Sequence, residues 1–157
     1  MTPRHGQRQR YKEGTLFAVP LPAGGFALGL ITRKGKGGVL CGYFWGPRRV
    51  SIPTVREVSG LSRESATLVL QFGALGLMRG HWPVIGQWPQ WRREDWPLPQ
   101  FVRTDAISGE QRLVTYDDAT LAELCEQPCF SQPSASLPRD CLSGYGAVEI
   151  KLSKLIA

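Results

Sequence analysis

Apolar residues near the start of the chain recur in short runs cut by glycine and proline, a pattern that suits strands and tight turns better than long helices. Gly14 to Pro20 reads as a first strand, closed by Pro20 and Pro22. Ala23-Gly24-Gly25 turns the chain, and Phe26 to Arg33 returns as a second strand whose Gly29 marks a bulge or a close backbone approach. Lys34 to Gly38 is a second turn, and Val39 to Trp45 is a third strand ended by Pro47-Arg48-Arg49. Three glycine-interrupted strands in succession predict a curved antiparallel sheet, as in a small or partial barrel.

Further along, Thr54 to Ser59 has room for a helical turn. Ser65 to Phe72 carries the run Ala66-Thr67-Leu68-Val69-Leu70 and reads as a fourth strand. A helix continuing to Met78 stays open beside it, because Ala74, Leu75, Leu77 and Met78 favour helix while Gly73 and Gly76 favour a turn. Gly80-His81-Trp82-Pro83-Val84-Ile85-Gly86 is a short stiff strand between two glycines, running from Trp82 to Gly86. The prolines that follow, at 89, 97 and 99, exclude a long helix there. Phe101 to Thr104 and Gln111 to Tyr116 alternate as a hairpin. Asp117 and Asp118 stand where an N-cap is wanted, predicting a short helix near 118–126 stopped by Pro128. Ser131 to Arg139 reads as a surface loop. Apolar positions at 148, 152, 155 and 156, with late cations, predict a C-terminal helix. The expected class is α+β and mainly β, with a flexible basic arm at 1–10 and a single domain over 11–157.

Composition adds limits. A chain of 157 residues is long enough for a hydrophobic core without disulfide staples. Cys41, Cys125, Cys129 and Cys141 are widely scattered and read as reduced thiols, and with His5 and His81 they do not have the spacing of a metal site. No apolar run is long enough for a membrane span, and Met1 to Lys12 lacks the apolar core of a secretory signal, so a cytoplasmic location is expected. Charge is uneven: residues 1–56 hold ten Lys/Arg against one acid, and residues 57–157 hold nine against twelve. A basic front half attracts nucleic acid, an acidic protein or anionic lipid, or simply keeps an N-terminal arm in solution.

Candidate chemistry is sparse. Gly35-Lys36-Gly37-Gly38 precedes a strand and lacks the glycine spacing of a phosphate loop, so a hairpin turn explains it better. His81 is a candidate base only if the fold brings Cys41 or Cys141 to it; a structural histidine before a core tryptophan is the plainer reading. No catalytic residue, cofactor or metal is expected. A binding surface remains. Arg48, Arg49, Arg92 and Arg93 occur as pairs beside Trp45, Trp88, Trp91 and Trp96, the residue types that dominate protein interfaces and that also stack on single-stranded nucleic acid. Trp45 and Trp82 read as core; for Trp88 and Trp91 an exposed role and a covering role both fit.

The order of these features resembles that of the immunity protein 26 family of bacterial polymorphic toxin systems. The residues that carry the resemblance are Tyr11 to Pro22, the glycine-rich Phe26 to Ile31, Gly80 to Gly86, Trp96-Pro97-Leu98-Pro99 to Phe101, and Gly144 to Glu149, spanning roughly residues 11–156. The resemblance implies a small, mainly β inhibitor that binds a cognate toxin domain. Taken with the residues, it makes Arg48, Arg49, Trp88, Trp91, Arg92 and Arg93 the expected partner-binding set. A small-barrel nucleic-acid-binding protein using the same basic, aromatic face is the alternative.

Overall fold

A computed structural model describes residues 9–129 and 137–156. The first three strands are β1 (Thr15–Pro20), β2 (Phe26–Lys34) and β3 (Val39–Arg49), joined by the two expected turns. β4 (Leu68–Gly73) adds to β3, and β5 (Val84–Gln87) adds to the free side of β1. β9 (Leu142–Ser143) closes the row in the order β5-β1-β2-β3-β4-β9. All these pairs are antiparallel except β4 with β9, which is parallel. The row is an open sheet and not a closed barrel. A second sheet has the order β6-β7-β8, built from β6 (Phe101–Thr104), β7 (Gln111–Tyr116) and β8 (Glu123–Pro128).

Strand alternation divides the larger sheet into two faces. Phe17 and Val19 of β1, Ala27 and Ile31 of β2, Leu40 and Phe44 of β3, and Leu70 and Phe72 of β4 point to the first face. Trp82 and the C-terminal helix α2 (Tyr145–Leu155) cover them, the helix contributing Val148 and Leu152, with Ile156 just beyond it. Two strand glycines make room for the rings. A Cβ on Gly42 would lie 2.7 Å from the Phe72 ring, and one on Gly29 would strike Phe17. Phe17 stacks on Trp82 at 5.5 Å and 4°, and Phe44 meets Phe72 edge-on at 5.5 Å.

Leu16, Leu28, Leu30, Tyr43 and Trp45 point to the second face. Val58 of a 3₁₀ turn (Val55–Val58) and Trp96 cover it. At one end of this face, buried Cys41, Phe101 and Leu121 form the seam to the smaller sheet.

Several expectations shift for identifiable reasons. No helix forms near 118–126. Asp117 Oδ1 instead accepts hydrogen bonds from the backbone N–H groups of Ala119 and Thr120 at 2.9 and 2.8 Å, closing a turn. Leu121 then takes a left-handed φ of 60° that breaks helical propagation, and its side chain is buried at the seam. The chain leaves as β8, paired with β7, and Leu124 of the apparent helical stripe is 61% exposed. β3 runs past Pro47 to Arg49 because its pairing with β4 ends at Phe44 opposite Leu68, while a bulge between Phe26 and Leu28 accommodates the extra length on the β2 side. The two readings of 65–78 each hold in part: β4 is followed directly by a one-turn helix, α1 (Leu75–Met78). The strand expected from Trp82 starts two residues later, since Trp82 N–H bonds Gly76 O at 3.1 Å and its indole turns into the first face.

The hairpin 101–116 and the C-terminal helix lie where their patterns put them. The N-terminal arm through residue 8 and residues 131–136 of the expected 131–139 loop lie outside the described residues. No helix among the described residues is long and apolar enough to cross a membrane.

Candidate functional site

The segment after β5 has three prolines and so runs as irregular backbone laid over the second face, interrupted by a 3₁₀ turn at Arg93–Asp95. Its tryptophans fill the space that a helix would otherwise occupy. Trp45 stacks on Trp88 at 5.8 Å, Trp96 meets Trp88 and Trp45 edge-on at 5.0 and 5.9 Å, and Trp91 stacks on Trp96 at 6.2 Å. Tyr43 meets Trp96 edge-on at 5.2 Å. Offset and edge-on ring pairs of this kind add about 0.5–1.5 kcal/mol each beyond area burial. Trp45 and Trp96 are buried, whereas Trp88 and Trp91 are half-buried at the rim. Both outer rings pack against the second face and keep part of their surface exposed.

The segment is held down by charge. Arg93 Nε bonds both Glu13 carboxylate oxygens at 3.0 and 3.2 Å, and its other nitrogens bond Asp118 through the carboxylate and the backbone carbonyl. Asp118 also accepts from Arg33 Nε at 2.8 Å, and the Arg33 side chain is 3% exposed. Two arginines and two carboxylates thus clasp β2, the tryptophan segment and the 117–121 turn. Burial opposes ionisation of Asp118, but hydrogen bonds from Arg33 and Arg93 outweigh it and hold the carboxyl below its ordinary range. Beside the clasp lies a groove of about 420 Å³, walled by Arg33, Arg93, Pro97, Leu98 and Tyr116.

The other expected arginines have different settings. Arg49 bonds Glu57 at 3.1 Å and the Pro47 carbonyl at 3.0 Å. Arg48 lies against Gly25, is half-buried, and its Nε has no hydrogen-bond partner among the described residues. Arg92 is exposed. The expected set is therefore not one continuous patch of free cations: Arg49 and Arg93 are committed to carboxylates, Arg92 is exposed, and Trp88 and Trp91 are partly exposed.

His81 stacks on Tyr145 at 5.7 Å and 6°. Burial holds the nearby Glu149 carboxyl above its ordinary range, with His81 a smaller opposing influence. Cys41 points to the opposite face of the sheet, where burial pushes its thiol up to about 11. No group of three or more potential metal ligands occurs among the described residues.

The clasp was invisible to a reading by spacing, because Arg33 and Asp118 stand 85 positions apart and Arg93 and Glu13 stand 80 apart. The same is true of Arg103, which bonds Glu123 at 2.6 Å and Asp140 at 2.8 Å across the smaller sheet. A surplus of arginines beside isolated acids was the available signal.

Searches of curated proteins and of solved structures gave no match. The family model described as immunity protein 26 matches residues 12–113, which include β1 to β6, the tryptophan segment and three of the four clasp residues. That span exceeds half of the chain, so the protein belongs to the immunity protein 26 family, and with membership comes toxin neutralisation, a cognate toxin partner and a role that in such families is generally non-enzymatic.

Proposed function

We propose that the protein acts in the cytoplasm by occluding the functional surface of its cognate toxin, gripping it with the tryptophan segment and the neighbouring arginines. The observation that carries this reading is the mutual stacking of Trp45, Trp88, Trp91 and Trp96. Packed rings hold the rim faces of Trp88 and Trp91 in one orientation before any partner arrives. Little side-chain freedom is then lost on association, and a small aromatic area becomes an effective anchor. Arg92 and Arg48 supply charge at the contact, while Arg49 and Arg93 act from their ion pairs by keeping the surface in shape.

The test is binding and inhibition of the toxin module encoded beside this gene, measured with Trp88, Trp91, Arg92 and Arg48 replaced together by Ala, alongside the urea midpoint of the same variant. The expected loss of affinity is at least about a hundredfold, since two or more anchors of about 2 kcal/mol are removed. Unchanged affinity in a folded variant would place the interface elsewhere. Tight, salt-sensitive binding of oligonucleotides by the wild-type chain, with no toxin complex, would favour the nucleic-acid reading.

A further inference from the structure

Away from the tryptophan segment, a cavity of about 770 Å³ opens between the sheets, lined by Leu68 and Leu70 of β4, Val102 and Thr104 of β6, and by Cys141 and Lys151. Two of its wall residues, Cys141 and Lys151, form a triangle with buried Ser143. Cys141 Sγ is 3.1 Å from Ser143 Oγ and 3.2 Å from Lys151 Nζ, and Lys151 Nζ is 2.9 Å from Ser143 Oγ. An ammonium and a hydroxyl directed at one sulfur favour the thiolate over the thiol. The Ser143 hydrogen bond, with a smaller contribution from Lys151, holds Cys141 below the ordinary thiol range despite partial burial. Cys41, by contrast, is completely buried and shifted the other way.

The surrounding charge selects what enters. Arg63 pairs with Glu64, and Asp140 pairs with Arg103, so Lys151 and Arg139 are the wall cations that pair with no carboxylate among the described residues.

We propose that Cys141 is a thiol-exchange site that takes small anionic disulfides of the glutathione class, with Lys151 and Ser143 as positioning residues. The Cys141 thiolate attacks one sulfur of the incoming disulfide. A new S–S bond forms as the old one breaks, and the departing thiolate leaves with the electron pair and takes a proton from water. One disulfide is consumed and one is made, so no further oxidant is involved. The apolar β4 and β6 walls receive the carbon skeleton, and Lys151 and Arg139 face the carboxylates. Nothing in this proposal depends on which surface holds the toxin.

The test treats the full chain with oxidised glutathione at pH 7 and follows each cysteine by mass spectrometry of its peptide. Exposed Cys125 serves as the internal reference. Cys141 is expected to form the mixed disulfide about tenfold faster than Cys125, because Lys151 and Ser143 stabilise its thiolate and the wall cations attract the anionic disulfide. Lys151→Met removes most of that advantage, and Lys151→Arg, which keeps the cation, preserves it. The pH at which Cys141 becomes half-reactive toward iodoacetamide rises in the Met variant. Cystamine, a cationic disulfide, shows a smaller preference for Cys141 than glutathione disulfide does. Equal rates at Cys125 and Cys141, or an unchanged rate and pH profile in Lys151→Met, would overturn the site. Equal preference for the two disulfides would overturn its selectivity for anions.

Discussion

The two faces of the six-stranded sheet are both aromatic, yet they are finished differently. On the first, Phe17, Phe44, Phe72 and Trp82 are fully buried and a regular helix seals them. On the second, Trp45 and Trp96 are buried, but the cover is proline-broken chain whose outer rings, Trp88 and Trp91, stop half-way into solvent. The first face spends its rings on cohesion. The second keeps part of its aromatic surface in reserve, and pins the covering chain with an ionic clasp where a helix would have supplied its own hydrogen bonds. Fixed aromatic edges at a rim are what a binding surface requires, and a sealed core does not offer them.

The largest effect that sharpens this contrast is loss of Trp82. Trp82→Ala should destabilise the protein by about 3–5 kcal/mol, as expected for a large ring deleted from a closed core, read as a lower urea midpoint. Trp88→Ala should cost less, about 1–2 kcal/mol, because part of its surface is already exposed to water, while toxin affinity falls more than stability does. Equal stability losses in the two variants would erase the distinction between the faces.

The smallest effect is in the response to acid, where the two covers should move in opposite directions. Asp118 has a folded pKa below its usual value, so the clasp contributes fully above the unfolded pKa of about 4 and is lost as pH falls through the folded value. Glu149, beside Trp82 on the first face, is raised by burial; its charge therefore costs stability as pH rises past the unfolded value, and protonation relieves that cost. Asp118→Asn should lower stability at pH 7 and Glu149→Gln should raise it, each by less than about 1 kcal/mol at such partly exposed sites. Urea midpoints measured from pH 7 to pH 3 check both signs, and a common direction would contradict the assignment.

Most strands of both sheets could be read from the chain because alternation and glycine turns are local. The strand expected over Phe26 to Arg33 is found at Phe26–Lys34 in the larger sheet, and the one over Gln111 to Tyr116 is found in the smaller. The error at 118–126 came from the same kind of signal: Asp117 and the spacing of Leu121, Leu124 and Cys125 suit a helix start, and only the pull of Leu121 into the seam with Phe101 decides against it. At the proposed surface, the aromatic and arginine types were legible. The commitment of Arg93 to Glu13 and Asp118 was not, since charge pairs distant in sequence leave no periodicity.

Helix α2 limits how far the chain can be shortened. The family model matches residues up to 113, yet Val148 and Leu152, which pack in one core with the Phe44 and Phe72 rings, lie more than thirty positions later. A fragment cut at that border would expose an oily sheet surface and would tend to clump. The matched span is therefore not a self-sufficient unit in this protein, and any minimal version for biochemical work has to retain the tail.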